Sequence, residues 1–136
     1  MLDYTKEELL SLIENTPEQF NEWKKDKEDV DLSEVDFSNL VLKEVDFSDV
    51  DLNSSSFSDG NLSLVNFSGA DLTAVDFTRA VVTECDFSES ILTGADCSYA
   101  EMTYCNFTDC DMAGTVLSET VLTSSDLSAA ENLNSA

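Results

Sequence analysis

An apolar residue recurs at every fifth position from Leu32 to Leu127, and small or β-branched residues stand two positions before most of these centres. The residue just before a centre is usually Asp or Asn, and the residue just after it is usually Ser or Thr. A period of five matches neither an α-helix, with about 3.6 residues per turn, nor a flat strand, with a period of about 2. The chain must therefore change direction once in every unit.

A coil made of four such units satisfies this constraint, because residues twenty positions apart in the sequence then stack directly on one another. Residues 30–130 are predicted to form an all-β solenoid, a quadrilateral β-helix whose repeating units stabilise each other by stacking. With about 4.8 Å between stacked coils, about five coils would make a rod about 24 Å long.

Residues 1–29 break the repeat, and they predict a short N-terminal α-helical cap. Thr5 and Glu8 have the spacing of a capping box, and Pro17 follows Thr16 where a second helix would begin. We expect an apolar face on these helices to cover the first coil, formed by Leu9, Leu12, Ile13, Phe20 and Trp23.

Residues 131–136 form a C-terminal tail that is too short and too polar to seal the last coil. The apolar centres left at that end are Leu117, Leu122 and Leu127. An uncovered end favours a two-fold, end-to-end homodimer, and simple fraying of the last coil is the alternative.

The unit Ala70-Asp71-Leu72-Thr73-Ala74 resembles the repeat of the pentapeptide-repeat family, whose loose consensus is Ala-(Asp or Asn)-Leu-X-X. The resemblance extends over roughly three-quarters of the chain and implies a right-handed, four-sided β-helix. Acidic members of the quinolone-resistance group imitate duplex DNA and occupy the DNA-binding groove of gyrase. The resemblance therefore implies DNA mimicry. A shorter rod without a projecting loop leaves the target open between a gyrase-like topoisomerase and a defence nuclease.

Charge is the main functional signal. The chain has 29 acidic and 6 basic residues, for a net charge of −23. Residues 30–130 carry nineteen acids but only two bases, Lys43 and Arg79. Their net charge of −17 along the rod would place one charge per about 1.4 Å, compared with about 1.7 Å in B-DNA. Asp before the centre belongs to the repeat, so the scarcity of bases is the observation that needs a functional explanation.

We name each side of the coil after its first centre: the Leu32, Phe37, Leu42 and Phe47 sides. Two adjoining sides, Leu32 and Phe47, carry acids and no base of their own, and we expect them to bind a basic cleft. Their acids are Asp31, Glu34, Asp46, Asp49, Asp51, Asp71, Asp86, Glu89, Asp109, Asp111 and Asp126.

The Leu42 side exposes apolar residues instead, and these form an expected second contact with a partner or another subunit. They are Val41, Leu64, Val81, Tyr104 and Val121. An alternative interpretation makes them β-forming residues on a solvated face. In that case the protein is a structural or protein-interaction scaffold with no DNA-related target, and its acids prevent aggregation.

The residue types indicate no catalytic chemistry. The chain has no histidine, no glycine-rich phosphate loop and no nucleophile motif, so we expect a non-enzymatic protein without cofactor or metal site. Four cysteines occupy inward positions and are expected to be buried thiols; a disulfide between stacked Cys85 and Cys105 stays open. No membrane-length apolar run and no signal peptide is recognisable, so we expect a cytoplasmic protein that contacts neither membrane nor nucleic acid directly.

Overall fold

The computed structural model describes residues 4–133. Two helices come first, α1 (Lys6–Asn15) and α2 (Pro17–Lys24). Four short strands follow: β1 (Val41–Lys43), β2 (Asn61–Ser63), β3 (Val81–Thr83) and β4 (Glu101–Thr103). They form one parallel sheet in chain order, and each strand pairs with residues twenty positions further on, as Leu42 does with Leu62. This sheet is the Leu42 side.

The other three sides are joined by isolated parallel bridges rather than by regular strands. Asp51 bridges to Asp71 on the Leu32 side, again over twenty residues. There the Leu52 N–H donates to the Asp71 carbonyl at 2.9 Å, and the Asp71 N–H donates to the Val50 carbonyl at 3.1 Å. The predicted stacking of residues twenty apart is confirmed, and the repeat region is a parallel β-helix.

The chain turns each corner through a residue in the left-handed conformation. Every fifth residue from Glu34 (φ 60°) to Ser124 (φ 58°) has a positive φ, and most of these residues are not glycine. Such a residue costs about 1–2 kcal/mol in isolation. The cost is offset because its own N–H bonds across the coils, as when the Glu89 N–H donates to the Thr108 carbonyl at 2.9 Å. The corners therefore project their side chains into solvent at a fixed spacing.

Aromatic rings fill the interior in two stacks. Phe67 lies between Phe47 and Phe87, with ring centroids 5.5 Å and 5.0 Å apart and the planes nearly parallel. A second stack, on the Phe37 side, contacts the first edge-on. For example, the ring centroids of Phe67 and Phe77 lie 5.9 Å apart in an edge-to-face arrangement. These rings are fully buried, and the other predicted centres from Leu32 to Met112 are buried as well.

The N-terminal helices lie against the first coil. The capping box is present, because the Glu8 N–H donates to Thr5 Oγ1 and the Thr5 N–H donates to Glu8 Oε1. Leu9, Ile13 and Phe20 are buried, and the Phe20 ring lies 5.9 Å from that of Phe47. The predicted apolar face thus packs on the end of the Phe47 stack.

The cysteines within the described residues are free and buried. The Cys85 thiol donates to the Leu62 carbonyl at 3.7 Å, and the Cys105 thiol donates to the Val82 carbonyl at 3.5 Å. Burial raises the pKa of Cys85 to about 12 and that of Cys105 to about 11. Both thiols are therefore neutral and poorly nucleophilic at neutral pH.

Replacing one stacked ring tests the core. We expect Phe67→Ala to lower the free energy of unfolding by about 3–5 kcal/mol, because it removes a buried ring between two others and leaves a cavity. Leu64→Ala, at a half-exposed corner, should change it by only about 0.5 kcal/mol. Urea unfolding measures both. A similar loss in the two variants would contradict the stacked core.

The thiols give a second test of the interior. Because their folded pKa values lie above the ordinary 9.0, their contribution to stability is complete below that pH and is lost as the pH rises towards about 11–12. We expect iodoacetamide to leave the native thiols unmodified near neutral pH and to label them fully in urea, as measured by mass spectrometry. Rapid labelling of the native protein would show that the thiols are accessible.

Candidate acidic binding surface

The acids predicted to bind a partner occupy two kinds of position in the repeat. One group precedes a centre and forms a bridge to the neighbouring coil: Asp31, Asp46, Asp51, Asp71, Asp86, Asp111 and Asp126. The other group stands at the left-handed corners: Glu34, Asp49, Glu89 and Asp109. The two groups differ in what their carboxylates do.

The acids before a centre each close a small hydrogen-bonded turn. Asp71 Oδ1 accepts from the Thr73 N–H at 3.0 Å and from the Thr73 hydroxyl at 2.6 Å. Asn66 occupies the same position and accepts from the Ser68 N–H at 2.9 Å, and Asn106 accepts likewise from Thr108. This side-chain hydrogen bond therefore requires an acceptor oxygen and not a negative charge.

At three of these acids, Asp31, Asp111 and Asp126, hydrogen bonds lower the pKa of the carboxyl group. Hydrogen bonds from the Ser33 hydroxyl and N–H lower the pKa of Asp31 below its ordinary 3.8, and Ser128 lowers that of Asp126 in the same way. The pKa of Asp111 is lowered first by the Asn132 amide and then by the Ala113 N–H. Because the pKa of each of these carboxyls is lowered, they retain their charge in mildly acidic solution.

The corner acids are exposed and unpaired. Within residues 4–133 the side chains of Glu34, Asp49, Glu89 and Asp109 make no hydrogen bond or ion pair. Asp49, Gly69, Glu89 and Asp109 succeed one another along the edge between the Phe47 and Leu32 sides. The Asp49 carboxylate lies over Gly69, in space that a Cβ would occupy. This edge, which we call the acidic edge, carries charge that the fold does not use.

Lysines of the helices reach the two acidic sides at their N-terminal end. Lys6 Nζ lies 3.7 Å from Asp31 Oδ1, and Lys24 Nζ lies 3.6 Å from Asp46 Oδ1. The same Lys24 amine donates to the Ser48 hydroxyl at 2.9 Å. The prediction from the repeat did not anticipate these pairs, because the repeat does not show where the helices dock. The two predicted surface acids that have a lysine partner, Asp31 and Asp46, both belong to the first coil.

The Leu42 side presents the expected apolar residues to solvent. Val41 is 78% exposed and Tyr104 is 65% exposed, while the other three are less exposed: Leu64, Val81 and Val121. Tyr99, 62% exposed at the corner shared with the Phe37 side, was not predicted. Tyr99 belongs to the repeat unit centred on Cys97, so the sequence places it on the Phe37 side and not among the residues predicted for the Leu42 side.

The last coil is only partly covered within the described residues. Leu117, Leu122 and Leu127 are half-buried, whereas the equivalent centres of the first coil are buried: Phe37, Leu42 and Phe47. Residues 134–136 of the predicted tail lie outside the described residues. The contact predicted at this end remains a prediction.

Comparison with known families accounts for the repeat. Residues 28–96 match the description "Pentapeptide repeat region", and residues 100–131 match "Pentapeptide repeats (8 copies)". The chain belongs to the pentapeptide-repeat family. No curated protein sequence matches it.

Solved pentapeptide-repeat structures are similar to this one. A protein from the Arabidopsis thaliana thylakoid lumen is 34% identical over 74% of this chain, with a TM-score of 0.52. The match spans 63% of that protein's length. Rfr23 from the cyanobacterium Cyanothece 51142 is 17% identical over 85% of this chain and 97% of its own, with a TM-score of 0.58. These likenesses imply a right-handed β-helix.

A further similarity involves QnrB1, a plasmid-mediated fluoroquinolone resistance protein. Its trypsin-treated form is 18% identical over 76% of this pentapeptide-repeat protein and 58% of its own chain, with a TM-score of 0.39. Separately, no helix within residues 4–133 combines the length and the apolar character needed to cross a membrane.

Substitutions at Asp86 separate hydrogen bonding from charge in this pentapeptide-repeat protein. Asp86 Oδ1 accepts from the Ser88 N–H at 2.9 Å. We expect Asp86→Asn to keep this bond and change the free energy of unfolding by no more than about 0.5 kcal/mol. Asp86→Ala should cost about 1 kcal/mol, because it removes the acceptor. Urea unfolding measures both variants, and equal losses would refute the role assigned to the turn.

Proposed function

We propose that this pentapeptide-repeat protein is a non-enzymatic, acidic binding protein that imitates DNA. It would occupy the DNA-binding cleft of a topoisomerase, a nuclease or another DNA-binding protein. The observation that carries the proposal is the acidic edge, whose exposed carboxylates make no bond within the described residues. The fold does not need these charges, so their presence calls for a partner.

The proposed shape is a quadrilateral rod of about five coils over residues 30–130, capped by the helices of residues 1–29 and followed by the tail of residues 131–136. Coils about 4.8 Å apart would repeat the corner charges along the rod at spacings comparable with those of DNA phosphates. Clustered negative charge of this kind accelerates association with a basic cleft.

Rigidity also supports this function. The bonds between coils fix each corner in one backbone conformation, so the carboxylates are arranged before a partner arrives. A pre-arranged surface loses less conformational entropy on binding than a flexible acidic segment of equal charge would. The rod thus differs from a disordered acidic tail, which would also carry charge but would present no fixed spacing.

The proposed docking surface lies toward the later coils. Lys6 and Lys24 compensate Asp31 and Asp46 near the helices, and Lys25 and Lys27 line a surface cavity with Asp49. Glu89, Asp109 and Asp126 lie beyond the reach of these pairs. A basic cleft would therefore engage the end of the rod remote from the helices most strongly. A gyrase-like topoisomerase and a defence nuclease are the partner classes we propose, in the cytoplasm.

A protein-interaction scaffold is the second candidate function, and the exposed apolar residues of the Leu42 side favour it. Val41 and Tyr104 are the most exposed of them. Contacts through this face should tolerate salt, because they remove apolar surface from water. Contacts through the acidic sides should weaken steeply as salt rises. Salt dependence therefore distinguishes the two candidates.

Neutralising two acids of the acidic edge, Glu89 and Asp109, together with Asp86 and Asp126 of the adjoining Phe47 side tests the proposal directly. The variant Asp86→Asn, Glu89→Gln, Asp109→Asn, Asp126→Asn removes four charges and keeps the acceptor oxygens. Asn also tolerates the left-handed corner at Asp109. The partner is a protein that is captured from bacterial lysate and that duplex DNA displaces. We expect the variant to bind this partner with an affinity at least about tenfold lower. Biolayer interferometry at low and high salt measures the change.

The matched control removes four charges from the Phe37 side: Asp36→Asn, Asp76→Asn, Asp96→Asn and Glu119→Gln. It alters the net charge equally, so a specific acidic surface predicts a much smaller loss. Equal losses in the two variants would mean that only net charge matters. Partners that resist both salt and DNA would refute mimicry and support the scaffold.

A further inference from the structure

The Leu42 side carries a pattern that is symmetric about β3, the third of its five stacked segments, the fifth of which is joined to β4 by the Glu101–Val121 bridge. Reading along the rod, the residues before the centres are Val41, Asn61, Val81, Glu101 and Val121. The corner residues of the same side are Glu44, Leu64, Glu84, Tyr104 and Ser124. Apolar and polar residues alternate in both columns. The column before the centres begins and ends with an apolar residue, whereas the corner column begins and ends with a polar residue. Each column therefore has the same order of apolar and polar residues from either end. The remaining outward column is polar throughout.

A surface with this symmetry is complementary to itself. We propose that the Leu42 side binds a second copy of this chain, with the two rods antiparallel about a two-fold axis through β3. Val41 then faces the partner's Val121, Leu64 faces the partner's Tyr104, and Val81 faces its own equivalent. A two-fold interface uses the same patch on both copies, which requires this property.

The polar residues agree with the same arrangement. Asn61 faces the partner's Glu101, so an amide donor meets a carboxylate, and Glu44 faces the partner's Ser124. Regular strands in one sheet give a continuous face, which two copies can pack as stacked sheets about 10 Å apart. The exposed valines, 78% at Val41 and 45% at Val121, would be covered at the two ends of the contact.

Size and charge set the strength of the contact. The face measures about 24 Å by about 10 Å, much less than the about 800 Å² per partner of a standard interface, so the dimer is weak. Each copy carries a net charge of −23, and Glu84 faces its own equivalent at the axis. Salt screens this repulsion and leaves the apolar contacts intact, so dimerisation strengthens as salt rises.

The antiparallel arrangement has a consequence that rests on the proposed function. The rotation preserves the direction of the chain across the sheet, so the Phe47 sides of both copies lie on the same flank. The dimer would present one acidic flank made from two rods, and the Leu32 sides would face outward in opposite directions. Dimerisation itself does not require a DNA-binding target.

Sedimentation equilibrium of the full chain tests the proposal at about 0.01 M and about 1 M salt. We expect a weak dimer whose dissociation constant falls as salt rises. Val41→Thr with Val81→Thr and Val121→Thr should raise that constant about tenfold or more, since each change removes a methyl group from the contact. Threonine keeps the β-branched shape, so folding should be unaffected. Glu84→Gln should lower the constant.

The matched control is Ile91→Thr with Val116→Thr. These residues occupy the same position of the repeat on the Leu32 and Phe37 sides and are each 41% exposed. This control should leave the dimer unchanged. A monomer at every salt concentration would overturn the proposal. A dimer that the valine substitutions leave intact would also overturn it, because that is the result expected of an end-to-end contact through Leu122 and Leu127. A monomeric valine variant that still binds a DNA-displaceable partner would leave the proposed function standing.

Discussion

Parallel backbone hydrogen bonding between residues twenty apart is the constraint on which the rest of the structure depends. Each centre, such as Leu52, donates to the following coil, and the residue before the next stacked centre, such as Asp71, donates back. This ladder fixes the corners in the left-handed conformation despite the local cost, and it superimposes rings such as Phe67 and Phe87. Core packing and the regular spacing of surface charges are two results of one register.

The repeat uses the acids as hydrogen-bond acceptors and leaves their charge available. Asn66 and Asn106 close the same turns as Asp71 and Asp86, so the turn places no demand on charge. The side chains of the corner acids Glu89 and Asp109 make no hydrogen bond or ion pair within the described residues. A surface that is structurally free to vary but carries almost no base is better explained by recognition than by folding.

The repeat region could be predicted from sequence because every unit repeats one local rule. Leu72 and Phe67 had to face inward once the period of five was recognised, and the Thr5–Glu8 capping box was visible as a motif. The pairs Lys6–Asp31 and Lys24–Asp46 could not be predicted, because they depend on how two helices dock on a coil. Regular strands on the Leu42 side alone also escaped prediction, since the repeat pattern is common to all four sides.

The central claim is that the fold does not depend on its surplus negative charge. The salt dependence of the free energy of unfolding tests it most directly, without knowledge of any partner. Self-repulsion in a chain of net charge −23 destabilises the compact state, and salt screens it. The account predicts that the free energy of unfolding in urea rises between about 0.01 M and about 1 M sodium chloride. A fall over that range would show that the charges stabilise the fold, and it would contradict the assignment of the acidic edge to recognition.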